Sequence, residues 1–210
     1  MKKLLTLATA YLLVASACNA QSIEAGMLLG RDFRLMVPQA SVIYKDRTTS
    51  PTFSPYGCFQ LRNSWFFQLS YQYSGKDNYT IAEGNSYRNT LTTNNHELCA
   101  DVLYRIYRAG RLDVKVQAGL SWYNKLGEYR REGSTYGGYS IETSSVVYKA
   151  YYANTGIVAG YKLTTHVIAK ARAQYSHYLF GYGNVGFPIN PFDTERSRLN
   201  VALGFAYLFL

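Results

Sequence analysis

The sequence predicts an all-β chain: an eight-stranded antiparallel up-and-down transmembrane β-barrel. Three observations predict it. The C-terminal residues alternate, with Leu199, Val201, Leu203, Phe205, Tyr207 and Phe209 on one face and Arg198, Asn200, Ala202, Gly204, Ala206 and Leu208 on the other. A period of two is a strand, and a wholly apolar face with an aromatic end suits a strand that meets lipid. The same alternation recurs seven more times upstream. The connections between these segments alternate between short and long, the pattern of membrane barrels.

Residues 1–20 read as a signal peptide. Lys2 and Lys3 form a positive start, and Leu4 to Val14 is an apolar run too short to span a bilayer. Cys18-Asn19-Ala20 before Gln21 suits cleavage near Ala20. The competing reading is a lipoprotein signal with Cys18 lipidated. Residues 21–210 then form one domain. No other run reaches the ~18 apolar residues of a membrane helix, and alternating barrel strands escape a hydropathy scan.

The first strand covers about 22–31 and turns Ile23, Ala25, Met27 and Leu29 to lipid. The second, about 55–62, turns Phe59 and Leu61. The third, about 64–74, sets Trp65, Phe67, Leu69, Tyr71 and Tyr73 against Phe66, Gln68, Ser70 and Gln72. The fourth, about 95–107, presents Leu98, Ala100, Val102, Tyr104 and Ile106. In the fifth, about 111–123, Leu112, Val114, Val116, Ala118, Leu120 and Trp122 oppose Asp113, Lys115, Gln117, Gly119 and Ser121. The sixth, about 147–163, presents Tyr151, Ala153, Ile157, Ala159 and Tyr161. The seventh, about 166–179, sets Val167, Ala169, Ala171, Ala173 and Tyr175 against Lys170, Arg172, Gln174 and Ser176. The C-terminal segment is the eighth.

Short turns are expected at 63–64, 108–111 and 163–165, and long extracellular loops at 32–54, 75–94, 124–146 and 180–196. The segment 35–45 also alternates, but Pro38 weakens it as a strand, and it reads as an extension of the first hairpin above the membrane. With both termini on the short-turn side, the orientation follows. Trp65, Tyr104, Tyr161, Tyr207 and Phe209 then form a girdle at the periplasmic ends, and Tyr71, Tyr73, Trp122 and Tyr175 one at the outer ends. The alternative is a soluble lipocalin-like ligand binder with the apolar face inward. It explains neither the terminal Phe209 nor the asymmetry of the turns.

With the apolar face on lipid, the other face fills the interior. It carries the acids Glu24, Glu97, Asp101 and Asp113 and the bases Arg62, Arg105, Lys115, Lys162, Lys170, Arg172 and Arg198. An eight-stranded barrel is just wide enough for side chains to fill it. Buried charges are costly unless paired, so a polar network across the lumen is expected. Asp101, Arg105, Lys115 and Gln117 are its expected centre. The excess of bases also admits a second reading, a narrow anion-preferring pore. Cys58 and Cys99 both point inward with a strand between them. Their separation of about two strand spacings exceeds disulfide reach, so both are expected free.

The formal charge of +9 falls to +7 without Lys2 and Lys3. The bases are dispersed and no nucleic-acid motif occurs, so nucleic acid is not an expected partner. The anionic surface of lipopolysaccharide is. No cofactor or metal is expected: the three His and the two Cys that follow the signal peptide show no ligand spacing, and no phosphate loop or dinucleotide motif occurs. An enzymatic role as a lipid A-modifying barrel finds little support. Ser176 and His177 are adjacent and point to opposite faces, whereas a nucleophile and its base must share one. His96 and Glu97 are split in the same way, and His166 sits at a turn.

Binding is expected of the loops. Tyr129, Arg130, Arg131, Tyr136 and Tyr139 combine adaptable aromatic contacts with arginines suited to phosphate. The apolar stretch Phe187-Pro188-Ile189-Asn190-Pro191-Phe192 reads as a lid over the barrel mouth.

The signal ending at Asn19-Ala20, the alternating strands and the run Ser197–Phe205 carry a resemblance. The mature chain resembles the small eight-stranded outer-membrane barrels of OmpA and OmpX type. It departs from them in ending on Leu210, one place after Phe209. The resemblance implies residence in a Gram-negative outer membrane, among outer-membrane lipid and lipopolysaccharide. It also implies insertion by the barrel-assembly machinery. The role expected is non-enzymatic: envelope integrity, or surface binding through the loops. With no peptidoglycan-binding domain after the barrel, a cell-wall anchor of that kind is not expected.

Overall fold

The computed structural model describes residues 22–36, 43–45, 49–83, 87–135, 138–184 and 195–209. The expected signal peptide, Cys18, Tyr136 and the expected lid at 187–192 lie outside them. The strands are β1 (Ser22–Met36), β2 (Ile43–Lys45), β3 (Thr49–Arg62), β4 (Trp65–Glu83), β5 (Tyr87–Ala109), β6 (Leu112–Thr135), β7 (Gly138–Lys162), β8 (Val167–Asn184) and β9 (Glu195–Phe209). All pairings are antiparallel. Eight strands close a ring in the order β4-β3-β1-β9-β8-β7-β6-β5, which returns to β4.

The register sets the shape of the ring. Following paired residues from Glu24 leads through Cys58, Gln68, Asp101, Gly119, Asn154, Ser176 and Arg198. The path re-enters β1 at Arg34, a shift of ten residues above Glu24. Ten residues of rise over eight strand spacings correspond to a strand tilt of about 40°. A barrel of this size has room inside for side chains and little else.

The outer face is apolar over one band. Leu120, Leu203 and Phe205 are 60–65% exposed, as large as such values become in this chain's belt. A contiguous apolar belt of that kind is the surface of a protein that sits in lipid. Short turns close one end at 63–64, 110–111 and 163–166. Gly110 supplies the left-handed backbone (φ 54°) that the β5–β6 turn requires.

The long loops expected at 75–94 and 124–146 are instead mostly strand. β4 and β5 pair up to Glu83↔Tyr87, and β6 and β7 up to Thr135↔Gly138. The reason lies in the solvent. Above the belt the alternation continues with its faces reversed. Leu91, Tyr123, Val146, Tyr148, Ala150 and Tyr152 point in and form a buried cluster. Thr92, Asn94, Glu128 and Arg130 point out. A search for lipid-facing apolar residues misses strands that are wetted outside. β3 likewise begins at Thr49, not near 55, and β1 runs on to Met36.

Of the segment 35–45, expected to extend the first hairpin, Leu35 and Met36 end β1 and Ile43–Lys45 form a separate short strand, with 37–42 outside the described residues. Above Tyr73, β3 parts from β4 at a bulge whose Gly75 has φ 47°. β2 then takes the vacated side of β4, with Ile43 opposite Ile81 and Lys45 opposite Tyr79. It adds to the sheet above the belt and leaves the barrel wall at eight strands.

Candidate functional site

The side chains inside the barrel form three tiers. At the short-turn end, Lys170 pairs with Glu24 at 2.8 Å, and the Tyr56 hydroxyl donates to the same carboxylate at 2.6 Å. Asp113 is shared by Arg105 at 2.7 Å and Lys115 at 3.1 Å. Both of those cations lie over the Phe66 ring, at 4.8 and 3.8 Å from its centroid.

In the middle tier Asp101 accepts from Gln117 and Asn154, each at 3.4 Å, and Gln117 also donates to Gln174 at 2.8 Å. Gly119, opposite Asp101 in the register, leaves this carboxylate its space: a Cβ there would collide with Asp101 and with the Ala100 backbone. Arg172 donates to Ser54, Gln72 and Asn200 at 3.0–3.3 Å. Among the described residues it has no carboxylate partner.

The upper tier centres on Arg198. Its two terminal nitrogens donate to the two oxygens of Glu97, at 2.6 and 3.0 Å. Asp32 lies 3.7 Å away on one side, and Arg34 reaches both Asp32 and the Tyr123 hydroxyl. The guanidinium carbon sits in the corner made by the edge-to-face rings of Tyr123 and Tyr152, 4.3 and 4.2 Å from their centroids. Charge, planarity and burial match here: a fork of donors meets a carboxylate, and two tyrosine rings take the place of water beside it.

The group expected at the centre of the lumen does not come together. Asp101 meets Gln117, but Arg105 and Lys115 turn to Asp113 near the short-turn end. On adjacent strands β5 and β6 they align with each other in register, four residues below Asp101. Arg62, expected inside, is exposed at the turn. The interior is also less polar than expected. Leu28, Phe66, Leu103, Val158, Ile168 and Leu208 are buried within it, so the polar tiers are set in an apolar core. Asp32, Arg34, Tyr123 and Tyr152 escape sequence reasoning. Asp32 and Arg34 fall in a segment that reads as a loop, and Tyr123 and Tyr152 carry the opposite polarity to their tier.

Cys58 and Cys99 are buried free thiols. Ser176 is buried inside the barrel, while His177 faces outward. His96 also faces outward, 2.6 Å from the Tyr71 hydroxyl, and Glu97 is engaged by Arg198. His166 stacks on Tyr207 near the short turns.

The expected girdle residues lie on the outer face. Trp65 packs on Tyr104, and Tyr207 on Phe209, at the short-turn end, where Tyr161 is also exposed. Tyr71, Tyr73, Trp122 and Tyr175 lie at the other edge of the belt. There Tyr151 stacks on Phe180 with centroids 4.7 Å apart, and Lys149 reaches over Trp122 and Tyr182. A bulge opposite Tyr151 and Tyr152 brings Phe180 and Tyr182 outward, which strict alternation along β8 does not reveal.

Four of the five residues expected as loop contacts lie on strands, and Tyr136 lies outside the described residues. Tyr129, Arg130 and Arg131 are on β6 above the belt, and Tyr139 is on β7. Tyr129 packs inward against the buried aromatic cluster. Arg130 faces out and pairs with Glu132 at 2.6 Å, and Tyr139 is exposed.

No protein-family model and no curated protein matches this chain. Solved structures do match its fold. A major outer membrane protein from Thermus thermophilus matches with a TM-score of 0.54 at 11% identity, over 90% of this chain and 100% of that one. OprG, an outer membrane protein from Pseudomonas aeruginosa, matches with a TM-score of 0.50 at 10% identity, over 90% and 94%. The N-terminal β-barrel domain of OprF from the same organism has a TM-score of 0.48 at 15% identity, over 90% and 98%. The chain has the fold of small outer-membrane β-barrel proteins. In that architecture short turns face the periplasm and long hairpins face outward.

Proposed function

We propose that this chain is a non-enzymatic outer-membrane barrel that holds lipopolysaccharide and presents a rigid extracellular β-sheet as a binding surface. One observation carries the reading. β5, β6 and β7 contain 23, 24 and 25 residues, whereas about ten residues cross a bilayer. The remainder of each strand stands above the belt. It is stiffened by pairing and by the buried cluster of Tyr123, Tyr148 and Tyr152. A membrane anchor needs no such height; a display surface does.

The outer side of this sheet supports lipopolysaccharide as the first ligand. A groove of about 750 Å³ lies there, with Lys76, Thr90, Thr92 and Asn94 facing Glu128 and Arg130. Hydroxyls, an amide and charges of both signs suit a phosphorylated sugar. The test is to purify the barrel from outer membranes and count lipopolysaccharide molecules retained per chain. Lys76→Glu with Arg130→Glu should lower retention, as should replacing residues 130–143 by a two-residue turn. Retention unchanged in both would contradict the proposal.

A narrow anion-preferring pore is the second reading, favoured by the excess of interior bases. Arg198 to Glu97, Arg172 to Gln72 and Arg34 to Tyr123 each connect strands on opposite sides of the ring. These cross-lumen contacts favour the closed barrel over the pore.

A further inference from the structure

The short-turn end of the barrel holds a cavity of about 330 Å³ with a basic wall. Phe66, Ile168 and Leu208 form its apolar part. Two carboxylates reach it, and both are engaged. Asp113 is held by Arg105 and Lys115, and Glu24 by Lys170 and Tyr56. Three further cations line the cavity: Arg108, Arg111 and Lys162. None of the three makes an ion pair among the described residues.

The backbone keeps these cations together. Arg108 stands opposite Asp113 in the β5–β6 register, and Arg111 occupies the turn that follows. The Lys162 amide donates to the Arg111 carbonyl at 2.9 Å, which ties the end of β7 to that turn. Three like charges are thus gathered at one mouth, beside two carboxylates that other cations already hold. An anion bound among them would relieve their repulsion, and the apolar wall would strengthen the attraction.

We propose that this cavity binds a phosphate-bearing ligand from the periplasmic side. Arginine presents paired donors that match phosphate oxygens, and two of the three unpaired cations are arginines. A phosphomonoester or diphosphate balances three cations better than a single carboxylate does. The volume lies at the lower end for small-ligand sites, enough for a phosphate with a small attached group. A soluble phosphorylated molecule and the headgroup of an inner-leaflet phospholipid share this chemistry. The cavity is at the opposite end from the sheet proposed to bind lipopolysaccharide and stands independently of it.

The test uses the full chain in a sugar-headgroup detergent, titrated with pyrophosphate by calorimetry at low salt. Saturable binding is expected, weakened by added salt. The variant Arg108→Gln, Arg111→Gln, Lys162→Gln should weaken it by roughly tenfold or more. These side chains sit at the rim, and an unchanged gel shift on heating verifies that the variant folds. Arg31→Gln, an exposed base that lines neither the cavity nor the outer groove, should leave the binding as it is. Native mass spectrometry of the barrel from phosphatidylglycerol nanodiscs distinguishes the sources. Phosphatidylglycerol retained by the wild type and lost in the triple variant assigns the site to a lipid headgroup. Pyrophosphate binding without lipid retention assigns it to a soluble phosphate. Absence of both, or binding that the triple variant leaves unchanged, overturns the proposal.

Discussion

Arg198 and Glu97 form a two-pronged ion pair across the full width of the barrel. Their strands, β9 and β5, stand four pairings apart in either direction round the ring. The contact is buried, so each charge depends on the other. Replacing Arg198 by Met strands the Glu97 carboxylate and should cost about 3–5 kcal/mol. The double variant Arg198→Met, Glu97→Gln should recover much of that loss. The temperature at which the folded gel band disappears, with urea unfolding of the purified barrel, measures both. Equal losses in the single and double variants would mean that the pair itself contributes nothing.

The same contact bears on conduction. Reconstituted in a planar bilayer, the wild-type barrel should show no steady ion current. Cross-lumen contacts in the middle and upper tiers leave no continuous path. A steady anion-selective current would favour the pore.

The sheet above the belt depends on its internal aromatic cluster. Tyr152 is buried against Tyr123 and Tyr178, and the Arg198 guanidinium lies over its ring. Truncating a buried aromatic to Ala costs about 3–5 kcal/mol, and here the loss should loosen the upper hairpins first. Trypsin should then cut at Lys125, Arg130 or Arg131 in Tyr152→Ala while sparing the wild type. The membrane-embedded part should still shift on heating. Equal cleavage in both proteins would show that the upper sheet is not held from within.

Cys58 and Cys99 are free and almost fully enclosed. A charged thiol reagent should leave Cys99 unlabelled in the folded barrel and label it after boiling in SDS, whereas Cys58 borders the short-turn cavity. Labelling of Cys99 in folded protein would place water in the lumen at its level.

The barrel wall was legible in the residues because lipid imposes a simple rule: apolar side chains outward on every second residue. Leu199 to Phe209 and Leu112 to Trp122 obey it over their whole length. The upper strands were not legible by that rule. From Tyr123 onward β6 meets water, its polarity reverses, and Glu128 and Arg130 look like loop residues. The inner face was legible as a set of residues but not as a set of partners. Whether Arg105 meets Asp101 or Asp113 depends on side-chain reach. Whether Arg198 meets Glu97 depends on the ten-residue shift of the closed ring, to which distant strands all contribute. Asp32 escaped because strand β1 outlasts its apolar face. Arg31 interrupts the apolar outward face before Phe33, so the alternation reads as ending at 31.

One continuous set of strands runs from lipid into water, with its polarity reversed beyond Trp122. A nitroxide scan of outward positions 114–130 along β6, in a Cys58→Ser, Cys99→Ser background in lipid bilayers, tests it most directly. Labels at Val116, Ala118 and Leu120 should be accessible to oxygen and shielded from a water-soluble nickel chelate. From Leu126 onward the order should reverse, while the motion of the label stays that of a strand. Chelate accessibility at Val116 and Leu120 would contradict a lipid-facing wall. A sharp rise in mobility beyond Trp122 would contradict the sheet above it.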